Sequence, residues 1–287
     1  MASGKTISAR RGTLYVLIAS VLFSLGGLFI KLIPWQPLSI NGARNIISVF
    51  LIGTYLFVTK HKLVVSRGVL IGAFCMCATT TLYTAANKLT TAANAIVLQF
   101  TAPAFVILFM ILFFGEKPTK NDIVTCVAVL AGVICFFVDG LGSGGMTGNL
   151  LALLSGAAYA GVFMLNTFPG ADSLSSIFLG QVASAVIGLP SLLQETDFSA
   201  QPVAAIFGLG VFQLGLAYIF FSQGLDAVPP VTASLTTGIE PILNPIWVAI
   251  FYHEKVTALA LVGAVIVVGA ILIYNVRKAA APKGGTA

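Results

Sequence analysis

The sequence predicts an all-α polytopic membrane protein with ten transmembrane helices, arranged as two inverted five-helix repeats with both termini cytoplasmic. Three observations predict this fold. First, 58% of the 287 residues are hydrophobic and only 8% are charged, whereas soluble domains carry about 25% charged residues. Second, the apolar residues form blocks of about 20, the length that a helix needs to cross a bilayer. Third, the second half of the chain repeats features of the first.

The apolar blocks place the ten helices in order along the chain. The predicted spans are 13–33, 39–58, 67–87, 91–114, 120–138, 148–168, 173–192, 202–223, 229–252 and 256–275. Short polar or Pro- and Gly-containing breaks separate them, and only the junction NKLTT is poorly marked. The first apolar run is too long for a signal peptide, so we expect it to be retained as a signal anchor.

The basic residues predict the orientation of the chain. Ten crossings put both termini on one side, and cytoplasmic loops are enriched in Lys and Arg. Eleven basic residues lie on the side of the termini and three on the other, which makes the termini cytoplasmic. The eleven are Lys5, Arg10, Arg11, Lys60, Lys62, Arg67, Lys117, Lys120, Arg277, Lys278 and Lys283; the three are Lys31, Lys88 and Lys255, and Arg44 lies inside the second segment. Because these charges cluster at block ends, they do not indicate a nucleic-acid surface.

The chain contains two internal repeats. A shift of 138 lays residues 85–119 over 223–257 without a gap, so that Pro103 meets Pro241 and Lys117 meets Lys255. A shift of 136 lays 12–39 over 148–175, with Phe23 on Tyr159. We therefore divide the chain into a first repeat (1–140), a second repeat (147–276) and a disordered cytoplasmic tail (277–287).

Five helices per repeat is an odd number, so the two repeats enter the membrane in opposite directions. Inverted repeats are typical of secondary transporters, in which two related halves exchange outward-open and inward-open shapes around a midplane site. Duplication for packing alone is the other interpretation. The polar, proline-containing fourth and ninth segments favour transport.

These features resemble a known family. Two five-helix halves, a Pro…Gly-Glu-Lys run that ends the fourth helix (103–117), and Ile239-Glu240-Pro241 in the ninth are similar to the drug/metabolite transporter superfamily, EamA type. Within it the chain is most similar to bacterial exporters of aromatic amino acids. The resemblance implies a central cavity, no ATP site and a place in the bacterial cytoplasmic (inner) membrane. One departure is His253, where the family usually has Gly.

The ninth segment carries a carboxylate in its middle. If the segment is one helix, Glu240 lies about 17 Å from its start, near the midplane, where a charge must face the bundle interior or a wet cavity. Pro241 and Pro245 remove backbone donors, so we expect a kink. Three roles stay open for Glu240: an ion pair with Arg44, a protonated hydrogen-bonded group, or a group that carries a coupling proton or meets a substrate amino group.

Other polar and aromatic residues at similar depth complete the predicted site. We predict that seven residues bind substrate: Tyr83, Asn94, Gln99, Tyr159, Tyr218, Thr237 and Asn244. Four residues are predicted to serve gating or coupling: Glu240, Pro103, Pro241 and Arg44. Hydrogen bonding between helices is the alternative role for each polar side chain, worth about 1 kcal/mol.

The predicted cavity indicates the class of substrate. Aromatic and aliphatic walls with few polar groups suit a small, net-neutral, amphipathic solute, either an aromatic or other neutral amino acid or a related metabolite. No pair of Lys or Arg suits a phosphate group, and no Gly-rich phosphate loop is present, so we expect no cofactor. We therefore predict a secondary exporter; a broad drug or metabolite exporter and a channel-like facilitator are the alternatives.

An enzyme is not expected, because His61 and His253 are predicted on opposite sides of the membrane and no catalytic cluster accompanies them. The expected partners are the lipid bilayer and the substrate. Small residues in the fifth and tenth segments, Gly132 and Gly263 among them, could pack inside the bundle or form a homodimer face. Packing inside the bundle is the preferred interpretation.

Overall fold

All regular structure in the described residues is helical. The computed structural model describes residues 8–280 except 116, 118, 144, 168, 229–235 and 254–255. Thirteen α-helices are described: α1 Ala9–Ser24, α2 Gly26–Leu32, α3 Pro37–Thr59, α4 Arg67–Leu89, α5 Ala92–Gln99, α6 Ala102–Phe114, α7 Lys120–Ser143, α8 Met146–Phe163, α9 Ser173–Leu192, α10 Ala200–Gly208, α11 Ala217–Ala227, α12 Glu240–Phe251 and α13 Ala258–Ala280. A 3₁₀ turn, Leu165–Thr167, follows α8, and a π-helix, Leu209–Leu216, joins α10 to α11.

Several helices begin where the sequence supplies a cap. The hydroxyls of Ser66 and Thr91 and the carboxylate of Asp172 accept hydrogen bonds from backbone N–H groups in the first turns of α4, α5 and α9. Each bond satisfies a donor that a helix start leaves without an intrahelical partner. Thr91 also marks the start of α5 at the poorly marked junction NKLTT, where α4 ends at Leu89 and α5 begins at Ala92.

Seven helical stretches of the described chain are long and apolar enough to cross a membrane. They correspond to the first four predicted segments and to segments six, seven and eight. The remaining predicted segments coincide with α7, α12 and α13, and part of the ninth lies outside the described residues. The last helix continues to Ala280, so it includes the first four residues of the predicted disordered tail, whose residues 281–287 are also outside the described part.

The two repeats end their fourth helices in the same way. Gly115 after α6 and His253 after α12 are 138 residues apart, and both adopt left-handed backbone with φ of 69° and 56°. This region favours glycine because a Cβ crowds the following carbonyl. His253 thus occupies the conformation that Gly115 occupies in the first repeat, so the departure from the family motif leaves the turn unchanged.

Glycines let helices of the two repeats approach closely. A Cβ on Gly42 of α3 would lie 2.7 Å from the carbonyl carbon of Gly188 in α9, so nothing larger than glycine fits between these backbones. The contact continues along the two helices through the hydroxyls of Ser39 and Ser191, which are 2.7 Å apart. α3 and α9 therefore form a tight seam between the repeats.

The small residues of the fifth and tenth segments pack inside the molecule. A Cβ on Gly132 of α7 would meet Val267 Cγ2 at 2.6 Å and the carbonyl oxygen of Gly263 at 3.0 Å, both on α13. The preferred interpretation, packing within the bundle, is confirmed for this glycine. The homodimer stays a prediction.

Loops at the two ends of the bundle hold the repeats together through polar contacts. At the end that contains Trp35 (the Trp35 end), the indole N–H donates to the carbonyl of Asp197 at 2.7 Å. At the opposite end (the His61 end), His61 Nε2 lies 3.1 Å from both carboxylate oxygens of Asp172. Burial raises the pKa of the Asp172 carboxyl, but hydrogen bonds with Ser175 and His61 outweigh it and hold the pKa below its usual range.

Candidate functional site

The fourth and ninth predicted segments are both interrupted near their middle. In the fourth, α5 ends at Gln99 and α6 begins at Ala102. In the ninth, a turn at residues 238 and 239 precedes Glu240, the first residue of α12. The shift of 138 lays Ala102 on Glu240, so the two interruptions are equivalent positions of the two repeats. Broken helices at the centre of a bundle are the usual location of transporter binding sites.

The kink expected at Pro241 takes the form of a helix break, and an equivalent break precedes Pro103. Each proline lies in the first turn of a new helix, α6 or α12, rather than inside a continuous one. The missing N–H of proline removes no intrahelical hydrogen bond there, and its fixed φ suits a helix start. Pro245 is the proline that lies within a helix, inside α12.

Two further irregularities bring side chains toward these breaks. The first segment is interrupted at Leu25, between α1 and α2, and a Cβ on the following Gly27 would lie 2.9 Å from the amide nitrogen of Asn244. The π-helix contains Gln213, whose carbonyl oxygen accepts a hydrogen bond from Arg44 Nη1 at 3.3 Å. Single π-turns are frequent at functional sites.

A small polar cavity lies where the breaks meet. Its volume is about 20 Å³, enough for roughly one water molecule. The cavity is lined by Phe23, Arg44, Thr79, Thr80, Tyr83, Gln99, Tyr159, Gln213, Leu214, Tyr218 and Glu240, which come from both repeats. Ligand pockets usually measure about 300–1,000 Å³, so the cavity in this structure is too small to hold such a ligand.

Arg44 is held at the cavity by neutral groups. Its side chain is 1% exposed. Nη2 donates to Asn41 Oδ1 at 3.1 Å, to the carbonyl of Thr80 at 2.9 Å and to Thr84 Oγ1 at 2.6 Å. Nε has no partner. The guanidinium is therefore positioned by α3, α4 and the π-helix without a carboxylate.

Glu240 is buried without a hydrogen-bonding partner. The residue is 6% exposed, and the described part of the chain offers its carboxylate no hydrogen bond and no ion pair within 4.0 Å. Of the three roles left open for this residue, the ion pair with Arg44 is therefore not formed. A carboxylate in the first turn of a helix is favoured by the helix dipole, and the cavity is the polar space that it faces.

The remaining cavity residues offer neutral polar groups. Gln99 Nε2 donates to Ser155 Oγ at 2.7 Å, and that hydroxyl donates to the carbonyl of Thr79 at 3.0 Å, which fixes the amide at the end of α5. The hydroxyls of Tyr159 and Tyr218 make no hydrogen bond within the described residues and lie at the cavity wall. Each can bond to a ligand without breaking a protein contact.

Contacts between the repeats close the cavity toward both ends. Toward the Trp35 end, Asn244 Nδ2 donates to the hydroxyl of Tyr83 at 3.3 Å, and Trp247 Nε1 donates to Ser24 Oγ at 3.0 Å. Toward the His61 end, five aromatic rings pack together with adjacent centroids 4.6–6.1 Å apart. They are Phe23, Tyr159, Phe163, Tyr218 and Phe221, the aromatic cluster. The structure is thus closed on both sides of the cavity.

The cavity gathers six of the predicted site residues: Tyr83, Gln99, Tyr159, Tyr218, Arg44 and Glu240. Asn244 lies beside them through its bond to Tyr83. Asn94 is not at the cavity, because its amide reaches Asn149 at 3.3 Å near the Trp35 end. Thr237 is buried just before the break of the ninth segment and is not among the lining residues.

The sequence prediction omitted Thr79 and Thr80, which line the cavity, and Asn41, which holds Arg44. A signal for Asn41 was present, since Asn41, Arg44 and Ser48 are three and four residues apart and share one face of α3. Thr79 and Thr80 gave no such signal. Threonines in membrane helices often bond their own backbone, as the hydroxyl of Thr79 does to the carbonyl of Cys75 at 2.7 Å.

Comparisons with known proteins show the family of the chain. The family model described as "EamA-like transporter family" matches the chain twice, over residues 10–138 and 146–276. "Uncharacterized transporter YvbV" of Bacillus subtilis (strain 168) is 25% identical over 63% of this chain, and the match spans 62% of that relative's length. An "Uncharacterized transporter" of Archaeoglobus fulgidus is 27% identical over 67% of this chain, and the match spans 70% of that relative's length.

A solved structure described as "Crystal structure of protein" superposes with a TM-score of 0.69 at 16% identity, over 96% of this chain and all of that one. At this identity the likeness shows the fold. The two matches to the family model, one to each repeat, cover most of the sequence. The chain therefore belongs to the EamA-like transporter family.

Proposed function

We propose that the protein is a secondary transporter that exports aromatic amino acids and related neutral metabolites across the bacterial cytoplasmic membrane. The observation that carries the proposal is a closed polar cavity at the two repeat-related helix breaks, with aromatic residues around it. The chain crosses the membrane ten times, and both termini and the His61 end are cytoplasmic.

The cavity suits a solute that has both polar and aromatic parts. Arg44, Glu240 and Gln99 supply charged and amide groups, whereas Phe23, Tyr159 and Tyr218 supply aromatic surface. Aromatic rings pack favourably edge to face, so the ring of an aromatic amino acid would replace one member of the aromatic cluster when the helices separate. The single Arg at the cavity does not suit a phosphate-bearing solute, which favours two or more basic groups.

Alternating access explains why the cavity is closed on both sides. One set of contacts closes each end, and each set joins elements of the two repeats. A carrier opens the two sides in turn, whereas a channel needs both open together. These paired closures support a carrier over the channel-like facilitator.

Counterflow in liposomes tests the proposal. Purified protein is reconstituted in vesicles loaded with unlabelled phenylalanine, and entry of labelled phenylalanine, tryptophan, threonine and a nucleotide sugar is followed, with protein-free vesicles as the control. We expect saturable counterflow of the aromatic amino acids and none of the nucleotide sugar. Saturable counterflow of a different solute class would favour the broad drug or metabolite exporter, and linear uptake without counterflow would favour a facilitator.

A further inference from the structure

The cavity contains one basic and one acidic side chain that are not paired with each other. Arg44 and Glu240 both line it, yet no ion pair joins them within 4.0 Å among the described residues. Burying a charge without an opposite charge is costly in a membrane interior. Two opposite charges that share a small cavity would normally collapse onto each other, since their attraction strengthens at low dielectric.

The surroundings of Arg44 explain why it does not collapse onto Glu240. Its Nη2 makes three hydrogen bonds to α3 and α4, and Nη1 is bonded to Gln213. These contacts hold the guanidinium at its side of the cavity. They still leave donors for a ligand, because a guanidinium has five N–H groups and Nε is without a partner.

Glu240 is held in place by its backbone rather than by its side chain. It is the first residue of α12 and is followed by Pro241, so the broken helix fixes the position of its Cα. Its carboxylate has no hydrogen bond in the described chain. Tyr83 and Tyr218 line the same cavity as Arg44 and Glu240.

We infer that Arg44 binds the carboxylate and Glu240 the ammonium group of a zwitterionic substrate. This inference rests on the proposed function and names the groups that select its substrate class. A zwitterion supplies the opposite charge to both residues at once. A solute with only a carboxylate or only an amine leaves one buried charge of the cavity without a counter-charge, which is a strong penalty.

The aromatic cluster sets where the rest of the substrate lies. The rings of Phe23 and Tyr218, with centroids 4.8 Å apart, lie beside the charged pair on the side toward the His61 end. A zwitterion held by Arg44 and Glu240 therefore directs its side chain toward these rings. The two charged residues select the amino-acid class, and the aromatic cluster selects the side chain.

Competition in the counterflow assay tests the inference. Three probes compete with labelled phenylalanine: unlabelled phenylalanine, phenethylamine, which lacks the carboxylate, and 3-phenylpropionate, which lacks the ammonium group. For the wild-type protein we expect both analogues to bind about 10- to 100-fold more weakly than phenylalanine, the effect of one lost charged hydrogen bond.

Variants assign each charge to its residue. Glu240→Gln should weaken phenylalanine binding by about 10- to 100-fold and should strengthen 3-phenylpropionate binding, because the charge that this analogue leaves unpaired is gone. Arg44→Gln should weaken phenylalanine binding to the same extent and strengthen phenethylamine binding. Arg44→Lys keeps the charge and should retain most discrimination against phenethylamine. Arg67→Gln, at an exposed arginine at the start of α4, is the matched control and should behave like wild type.

The outcomes separate the inference from the proposed function. If phenylalanine shows counterflow but either analogue competes equally well with it, the inference is wrong and the proposed function stands. The same holds if Glu240→Gln weakens all three probes alike. If wild-type protein shows no amino-acid counterflow, both are wrong. If Arg44→Gln fails to fold, the inference is still tested by the three competing probes on the wild-type protein and by the Arg44→Lys and Glu240→Gln variants.

Discussion

Asn244 in the second repeat donates a hydrogen bond to the hydroxyl of Tyr83 in the first, across 3.3 Å at the edge of the cavity. Both side chains are buried, and the repeat partner of Asn244 is Val106, which can make no such bond. The closure toward the Trp35 end therefore depends on a polar contact that the first repeat does not duplicate.

A double-mutant cycle should measure this contact. We expect Tyr83→Phe and Asn244→Ala each to lower the thermal stability of the detergent-solubilised protein. The coupling free energy between them should be about 0.6 kcal/mol, the average measured for hydrogen bonds between membrane helices, and at most about 1.7 kcal/mol. The matched control is the cycle of Ser24→Ala with Asn244→Ala, because Ser24 accepts a hydrogen bond from Trp247 and not from Asn244. The stability losses of these two variants should be closer to additive. Additive effects of the Tyr83 and Asn244 variants would show that the bond contributes nothing.

The seam between α3 and α9 should not tolerate a methyl group. We expect Gly42→Ala and Gly188→Ala each to destabilise the protein by about 1–3 kcal/mol, because the added carbon would overlap the facing backbone. Gly53→Ala, also on α3, is the control, since its nearest neighbour would be Phe178 at an ordinary 3.5 Å. Equal melting temperatures for all three variants would contradict the close approach.

The repeat-related turns should respond to substitution in opposite directions. Gly115→Ala should cost about 1–2 kcal/mol because alanine strains left-handed backbone. Its added carbon would meet no other atom within 4 Å, so sterics with neighbours do not contribute. His253→Gly should instead stabilise the protein, by less than about 1 kcal/mol, since strain relief is offset by the flexibility of glycine. A loss of stability in His253→Gly would mean that the His253 side chain makes a stabilising contact.

The His61–Asp172 contact predicts loss of stability in acid. Because the pKa of Asp172 is lower in the folded protein than in the unfolded chain, this group stabilises the fold above the unfolded value of about 4. That contribution is lost as pH falls through the lower folded pKa. Melting temperatures measured between about pH 6 and pH 3 should fall less steeply for Asp172→Asn than for wild type. Identical slopes would show that the carboxylate contributes no pH-dependent stability. High salt should flatten the wild-type curve, because the pair is partly exposed.

Glu240→Gln distinguishes substrate binding from proton coupling. If Glu240 binds the ammonium group and carries no coupling proton, wild-type counterflow should be unchanged by an imposed pH gradient, and the variant should differ in apparent affinity alone. The measurement is counterflow with and without the gradient in both proteins. A gradient effect in wild type that disappears in Glu240→Gln would assign proton coupling to this residue.

Much of the fold follows from local chemistry that can be read in the sequence. Apolar blocks locate the helices, and the caps Ser66, Thr91 and Asp172 explain where three of them begin. Six cavity residues could be identified because a polar or aromatic group near the midplane of a membrane helix has few favourable places to point. Asn94 has the same local pattern, yet it lies one turn from the end of its segment and outside the cavity lining.

The neighbours of Arg44 could not be predicted in the same way. Its acceptors, Asn41, Thr80, Thr84 and Gln213, come from three helices separated by up to 169 residues. Which of them meet depends on helix rotation and on the π-helix, and neither leaves a pattern in composition. The helix breaks are similar, because proline predicts a disturbance without deciding between a kink and a new helix start.

The difference between Ala102 and Glu240 has a consequence for energetics. Two identical inverted halves would give inward-open and outward-open forms of equal energy, related by the symmetry of the duplication. A carboxylate at one helix start and a methyl group at the other remove that degeneracy, because only one half moves a charge when it rocks. Under the proposed carrier mechanism, we expect the empty protein to favour one of the two open forms, and we expect Ala102→Glu combined with Glu240→Ala to shift that preference toward the other.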